Sequence, residues 1–217
     1  MEKEPSETKL SLILAAGELF AELGLEGVGI RTIAKKAGVN IAAVNYHFGS
    51  KEHLYTETLK YAALHGGGIH PISLSKDGED IQGPAEIAES LYTYIKEKFV
   101  SLFASGQSSW YSKLIIRSLL EPTPSLQSTV DQIFLPTMES LITIIQRADP
   151  NMTKEKARLW AFSIEGEIAF YGICKVPILL ILRKKEYDNE FIDAAADHVA
   201  RSSLTALGLP QPEESEL

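Results

Sequence analysis

Apolar residues along this chain recur at three- and four-residue spacing, and β-branched residues hardly ever alternate with polar ones. That period belongs to amphipathic helices rather than half-buried strands, so the pattern predicts an all-α fold. A first helix is expected over 6–23, with Leu10, Ile13, Leu14, Gly17, Phe20 and Ala21 on one face and Gly24 as its stop. A short second helix covers 30–37 and ends at Gly38. Asn40 is placed to cap a third over 41–47, and Ser50 opens a fourth that runs to about 64. The stretch HGGGIHPISLSKDGEDIQGP, 65–84, is rich in Gly, Pro and polar residues and reads as a flexible junction. Beyond it the pattern predicts helices over 85–105, with Pro84 in the first turn, and over 107–120, stopped by EPTP. Others follow over 125–148, over 153–182 with a kink at Pro177, and over 188–207, closed by Gly208 and Pro210. The tail 210–217 is expected to fray. The domains expected are therefore 1–64, a helix-turn-helix domain with its connecting fourth helix, and 85–209, a larger helical domain.

The second and third helices are short and joined by a Gly-containing turn, which makes a helix-turn-helix candidate. Ile33, Ala34, Ala37, Val39 and Val44 would pack the pair together and leave the third helix free to enter a DNA major groove. Ala42 and Ala43 are small enough for a close approach. With Ile41 they could touch thymine methyls, and Asn45 could bond an adenine edge. Tyr46 and His47 can reach phosphates, and Lys51 at the start of the fourth helix adds positive potential. Arg31 and Thr32, at the start of the second helix, complete the candidate DNA contacts. His47 and either of Lys35 and Lys36 could equally serve packing or solvation, and Phe48 reads as core.

Net charge changes this picture less than its sign suggests. The chain carries -8 overall, but residues 28–60 hold five basic and two acidic residues, whereas 61–217 hold 14 and 21. A mildly basic head on an acidic body is compatible with DNA, because the local field governs phosphate contact. The single cysteine, Cys174, excludes an internal disulfide framework. The most hydrophobic window, 161–182, contains Glu165, Glu167, Lys175 and Pro177, which argues for a buried helix rather than a membrane span. No leader-like segment opens the chain, and a cytoplasmic location is expected.

The run IRTIAKKAGVNIAAVNYHFGSKEHLYTETL resembles the DNA-binding domain of the TetR family of transcriptional regulators. Ile33-Ala34, Ala37-Gly38-Val39, Tyr46-His47-Phe48 and Ser50-Lys51-Glu52-Leu54 carry the resemblance, which covers about 8–60. It implies an N-terminal three-helix DNA-binding domain and a larger helical domain that binds a ligand and dimerises. It further implies a dimeric repressor released from operator DNA by a small molecule. Two positions depart from the family pattern. Asn45 stands where the family usually has Tyr, and Gly29 stands where a capping Thr is common. LIIRSLLEPTPSL and FSIEGEIAFYGICKVPILL are similar to the C-terminal domain of one subgroup.

The candidate ligand contacts are Phe103, Trp110, Tyr111, Leu114, Arg117, Phe134, Trp160, Glu165 and Tyr171, on helices expected to bundle around an apolar cavity. Aromatic residues at helical spacing equally serve as core. Arg117 and Glu165, charged within apolar helices, could pair with each other, orient a ligand or face a partner. For a homodimer, the faces expected to meet are Trp160, Ile164, Ile168, Tyr171 and Cys174 on one helix and Phe191, Ala194, Ala195, His198, Val199 and Ser202 on the last. No acid–base constellation, metal-ligand spacing or cofactor motif stands out; His65-Gly66-Gly67-Gly68 lacks the strand and nucleophile an esterase motif needs, and His65 with His70 makes a poor metal pair. The expected function is sequence-specific transcriptional regulation, not catalysis. An activator or corepressor-dependent regulator of the same fold, or a helical small-molecule-binding protein without DNA function, are the alternatives.

Overall fold

The computed structural model describes residues 6–65, 70–76, 79–103, 110–121, 123 and 126–212. The glycine run 66–68, the Pro122 and Pro124 stop and the end of the tail lie outside the described residues. The chain is helical, as the periodicity predicts: α1 Glu7–Leu23, α2 Ile30–Ala37, α3 Ile41–Phe48, α4 Lys51–Leu64, α5 Pro84–Phe103, α6 Trp110–Leu120, α7 Leu126–Thr129, α8 Leu135–Ala148, α9 Lys154–Ile173, α10 Lys175–Leu182 and α11 Asn189–Ala206. Side chains cap many of them. Ser6, Asn40, Ser50, Thr153 and Asp188 each accept a bond from a backbone N–H of the first turn that follows.

Two long helices predicted from the pattern are interrupted, and proline explains both breaks. The helix expected over 125–148 contains a π-helical turn, Val130–Phe134, between α7 and α8. Pro136 has no N–H for the carbonyl four residues back, and its ring crowds that carbonyl, so the regular register fails there. The helix expected over 153–182 breaks at Cys174, three residues ahead of Pro177, so the kink becomes a division into α9 and α10. Arg183, in the left-handed region at φ 55°, ends α10.

The described residues pack as two compact units. In the first, α1 is the central helix: α2, α4 and α6 all pack against it, and α4 also meets α6 and α7. Trp110 of α6 lies so close over Gly17 of α1 that an added Cβ would come within 2.3 Å of the ring. Phe20 and Tyr55 meet edge to face at 5.1 Å in the same core. The second unit contains α5, α8, α9, α10 and α11, with α11 lying along α5 and α9 along α8. The domain expected over 85–209 takes in α6 and α7, but these pack with the N-terminal helices. Hydrophobic periodicity shows which face of α6 is buried, not which helix covers it.

The junction 65–84 is also more structured than its composition suggests. Among its described residues, Ser75–Lys76 (β1) and Glu79–Asp80 (β2) form a two-residue antiparallel ribbon. Ile72 and Ile81 are buried. Arg147 of α8 donates to the carbonyls of Leu74 and Ile81, both at 2.8 Å, and the Ile72 N–H donates to Ser140. One guanidinium and two isoleucines thus anchor a stretch that carries few helix or strand signals.

Candidate nucleic-acid interface

The geometry of α3 follows from its two ends. Gly38, at φ 71°, ends α2 in the left-handed region, and the Val39 N–H reaches the Ala34 carbonyl at 3.0 Å. The Asn40 side chain then accepts from the Ala42 N–H at 2.9 Å and starts α3. Val44 and Phe48 of α3 are buried, and Lys9 sits 5.7 Å from the Phe48 ring centre. Positions 41, 42, 45 and 46 therefore face outward, at the spacing of one helical face. Ile41, Ala42, Asn45 and Tyr46 are exposed there, Tyr46 to 85%. A phenol left that open on a rigid short helix is poised for contact rather than packing.

The remaining candidates divide. Arg31 and Thr32 are exposed at the start of α2, where Gly29 supplies only its backbone as a cap. Ala43 and His47 are half-buried, and the His47 ring packs against Tyr46 at 5.0 Å and Phe48 at 6.2 Å. Lys51 is engaged within the fold: its ammonium donates to the Leu25 carbonyl at 2.9 Å and lies 3.9 Å from Glu26. It ties the start of α4 to the turn after α1. The first turn of α4 is occupied as well. The Glu52 carboxylate accepts from its own backbone N–H and from Ser50, which holds its pKa below the ordinary carboxylate value. Lys36 pairs with Glu18, whereas Lys35 is exposed with no ion pair among the described residues. Lys35 is thus the more available of the two lysines for a phosphate.

The nine candidate ligand contacts divide between the two units. Trp110, Tyr111, Leu114 and Arg117 belong to the first unit; Phe103, Phe134, Trp160, Glu165 and Tyr171 belong to the second. In the first, Trp110 and Leu114 are core, Tyr111 packs on Trp110 and Tyr61, and Arg117 holds Glu121 and the Glu22 carbonyl. In the second, Phe103 and Tyr171 both pack on Phe99, in an aromatic cluster that Tyr187 and Phe191 complete. Trp160 and Phe134 are half-buried. Glu165 pairs not with Arg117 but with Lys98, a buried lysine that the sequence reading passed over, at 2.5 Å. The Tyr94 hydroxyl donates to Glu165 at 2.6 Å, and burial followed by the Glu165 charge holds that phenol well above its ordinary pKa. A lysine on an otherwise apolar face of α5 is the signal that could have found this pair.

Of the residues expected on a dimer face, Ala194, His198 and Ser202 are exposed and Trp160, Tyr171, Cys174 and Phe191 half-buried. Ile164 and Ile168 of α9, and Ala195 and Val199 of α11, are buried within the second unit, where α9 lies on α8 and α11 on α5. The apolar residues left exposed are Leu159, Phe162, Phe170 and Ile173 on α9 and Val176, Leu180 and Ile181 on α10. Among the described residues no group of three or more His, Cys, Asp or Glu could hold a metal ion, and no helix is long and apolar enough to cross a membrane. His65 stacks on Tyr61, and His70 meets Tyr94 edge-on.

Comparison with known proteins agrees with this geometry. Residues 12–58 match the family described as bacterial regulatory proteins, tetR family. Residues 87–207, more than half of the chain, match the family described as HTH-type transcriptional dual regulator CecR, C-terminal domain. The chain is 30% identical over 201 residues to the HTH-type transcriptional dual regulator CecR of Shigella flexneri, covering 85% of this chain and 84% of that one. The fold is similar to that of NalD, the secondary repressor of the MexAB-OprM multidrug efflux pump in Pseudomonas aeruginosa, with TM-score 0.60 at 22% identity over 93% and 97% of the two chains. It is also similar to a transcriptional regulator from Rhodococcus sp. Rha1, with TM-score 0.61 at 19% identity over 91% and 96%. The chain therefore belongs to the TetR family of bacterial transcriptional regulators, with a C-terminal domain of the CecR type.

Proposed function

We propose that this regulator is a cytoplasmic homodimer that reads a near-palindromic operator through α3, represses transcription there, and is released by a small-molecule effector bound in its helical C-terminal domain. The observation that carries the reading is the outward face of α3, where Ile41, Ala42, Asn45 and Tyr46 stand exposed on a helix anchored by Val44 and Phe48. Small, methyl-bearing and amide side chains suit base edges, and Asn45 suits adenine. Arg31, Thr32 and Lys35 supply phosphate contacts beside it, while Lys51 keeps the supporting turn in place. The exposed apolar residues of α9 and α10 form the dimer face. An apolar surface of that extent marks an interface, and a two-fold axis through it matches a palindromic site. The effector must favour the arrangement that does not fit the operator, since equal affinity for both arrangements shifts nothing.

The test is selection of duplexes from a random pool by the purified protein at physiological salt. Enrichment of a near-palindrome is expected, and its arm spacing measures the distance between the two α3 helices. Absence of enrichment, with and without candidate effectors, would sink the reading. The sign of regulation is read separately, by expression from the selected promoter with and without the protein. One observation supports a second reading, activation or corepression from the same operator: the Shigella relative is described as a dual regulator.

A further inference from the structure

The last turn of α1 carries no basic residue of its own, although its carbonyls present the negative end of a helix there. The cation comes instead from α6. Arg117, in the last turn of that helix, donates through Nη1 to the Glu22 carbonyl at 3.2 Å. Its Nε and Nη2 meet the two carboxylate oxygens of Glu121 at 2.9 and 2.7 Å. One planar fork thus holds a carboxylate and a main-chain carbonyl at once. The pair lies against Gly24, which is buried at φ 72°. A Cβ added there would come within 2.8 Å of Arg117 and 2.9 Å of Glu121. Glycine at 24 therefore serves both a positive φ and the close approach of the pair.

The segment that follows Gly24 is gripped from a second side. Leu25 and Val28 are buried, and Lys51 of α4 donates to the Leu25 carbonyl at 2.9 Å. α2 begins directly afterwards, at Ile30. A cation of α4 and a cation of α6 therefore hold the 24–29 segment that connects α1 to the helix-turn-helix. Lys113 is the other α6 cation near this end. It pairs with the Glu22 carboxylate, but both side chains are at least half exposed, so water screens the pair.

We infer that Arg117 is a positioning residue for operator reading: by clamping the end of α1 at Glu22 and Gly24, it fixes the direction in which α2 and α3 leave that helix. It acts from outside the residues that match the DNA-binding family, and it does so without touching a base or a phosphate. Only Val44 and Phe48 of α3 are buried, so the pose of that helix depends on what its neighbours hold. Without the clamp, the pose that fits an operator is one of several, and apparent affinity falls with the fraction of molecules that hold it. The effect on operator binding rests on the proposed function; the clamp does not.

Hydrogen exchange of the full chain without DNA, followed by mass spectrometry, tests the clamp. Arg117→Ala should speed exchange over 24–37 about tenfold or more while α4 exchanges as in the parent. Glu121 is nearly half exposed, so this variant strands no buried charge. Arg117→Lys keeps the charge without the fork, is the milder change if the first variant does not fold, and should show the same acceleration. Exchange at the parent's rate over 24–37 in either folded variant would overturn the inference. So would an acceleration spread equally over α4, which would mean a general loss of stability. On the selected operator, Arg117→Ala should bind about tenfold more weakly with the same dependence on salt. A salt slope shallower by about one would make Arg117 a phosphate contact, and an equal loss in Lys113→Gln would make the effect one of general charge. Either result would overturn the positioning role. A parent that selects no operator sinks the proposed function, and exchange still decides the clamp.

Discussion

α3 and α10 are both eight residues long, and both leave at least half of their residues exposed, yet they do so for opposite reasons. α3 is capped by Asn40, stopped at Gly49 and anchored by two buried residues, and its open face mixes an amide, a phenol, small side chains and one isoleucine. Such a face is stable in water and can be covered and uncovered repeatedly. α10 has no side-chain cap and no buried residue, and it exposes Val176, Leu180 and Ile181 by 67%, 75% and 80%. Each large aliphatic side chain left in water forgoes about 1.5–3 kcal/mol of burial. A polar open face suits a reversible partner such as DNA, and an apolar one suits a partner that stays. Exposure alone does not separate the two uses; the chemistry of the exposed atoms does.

The largest effect should come from making α10 resemble α3. The double substitution Leu180→Asp with Ile181→Asp puts two charges into the proposed dimer face of each protomer. Sedimentation equilibrium should show the dimer dissociation constant rising at least about hundredfold, roughly 3 kcal/mol or more, with operator binding lost alongside. A variant as dimeric as the parent would remove α10 from the interface and break the comparison.

The next effect concerns the frame behind α3. Trp110→Ala empties the space over Gly17 and should cost about 3–5 kcal/mol in urea denaturation. A loss under about 1 kcal/mol would mean that α6 does not support the first unit as its packing implies. On α3 itself, Asn45→Ala should cost roughly 1–3 kcal/mol of operator affinity and relax the preference at one adenine, measured by competition with single-base operator variants. Unchanged base preference would reduce Asn45 to a bystander on an otherwise suitable face.

The smallest effect is a pH-dependent one within the same frame. Glu57 of α4 bridges Lys9 of α1 and Lys60, at 3.1 and 3.0 Å. Partial burial pushes its pKa up, but the two lysines outweigh that and hold it below its ordinary value of 4.5. A depressed folded-state pKa contributes stability above the ordinary value and loses it as pH falls through the folded one. Glu57→Gln should therefore cost only about 0.5 kcal/mol near neutrality, because the pair is partly exposed, and the difference from the parent should vanish in acid. A difference that persists in acid would assign the effect to packing instead of charge.

Much of the first unit was legible because its signals are local. Asn40, Ser50 and Gly38 set helix ends within a few residues of themselves, and the spacing of Val44 and Phe48 determines which side of α3 is left open. Lys51 was legible as a basic residue in the right place but not as a clamp, since its partner, the Leu25 carbonyl, belongs to a distant turn with no side-chain signature. The ligand candidates were less legible still. Trp110 and Tyr171 have the same periodic signature, yet they end in different units. The groove on α5 was hidden for a related reason: Glu86, Glu89 and Glu97 read as an ordinary solvated face, and they stay exposed where Ile72, Ile81 and Tyr94 line one cavity with them.

The helical class, the helix-turn-helix, the outward face of α3 and the family all follow from periodicity, caps and fixed motif spacing, signals that act within a few residues. Long-range packing, by contrast, sets α6 against the N-terminal helices, Glu165 against Lys98, the open apolar face along α9 and α10, and a cavity beside α5. Each of these depends on which helix covers which. Burial is a property of pairs of surfaces, and a hydrophobic or charged residue has the same sequence signature whatever surface it meets.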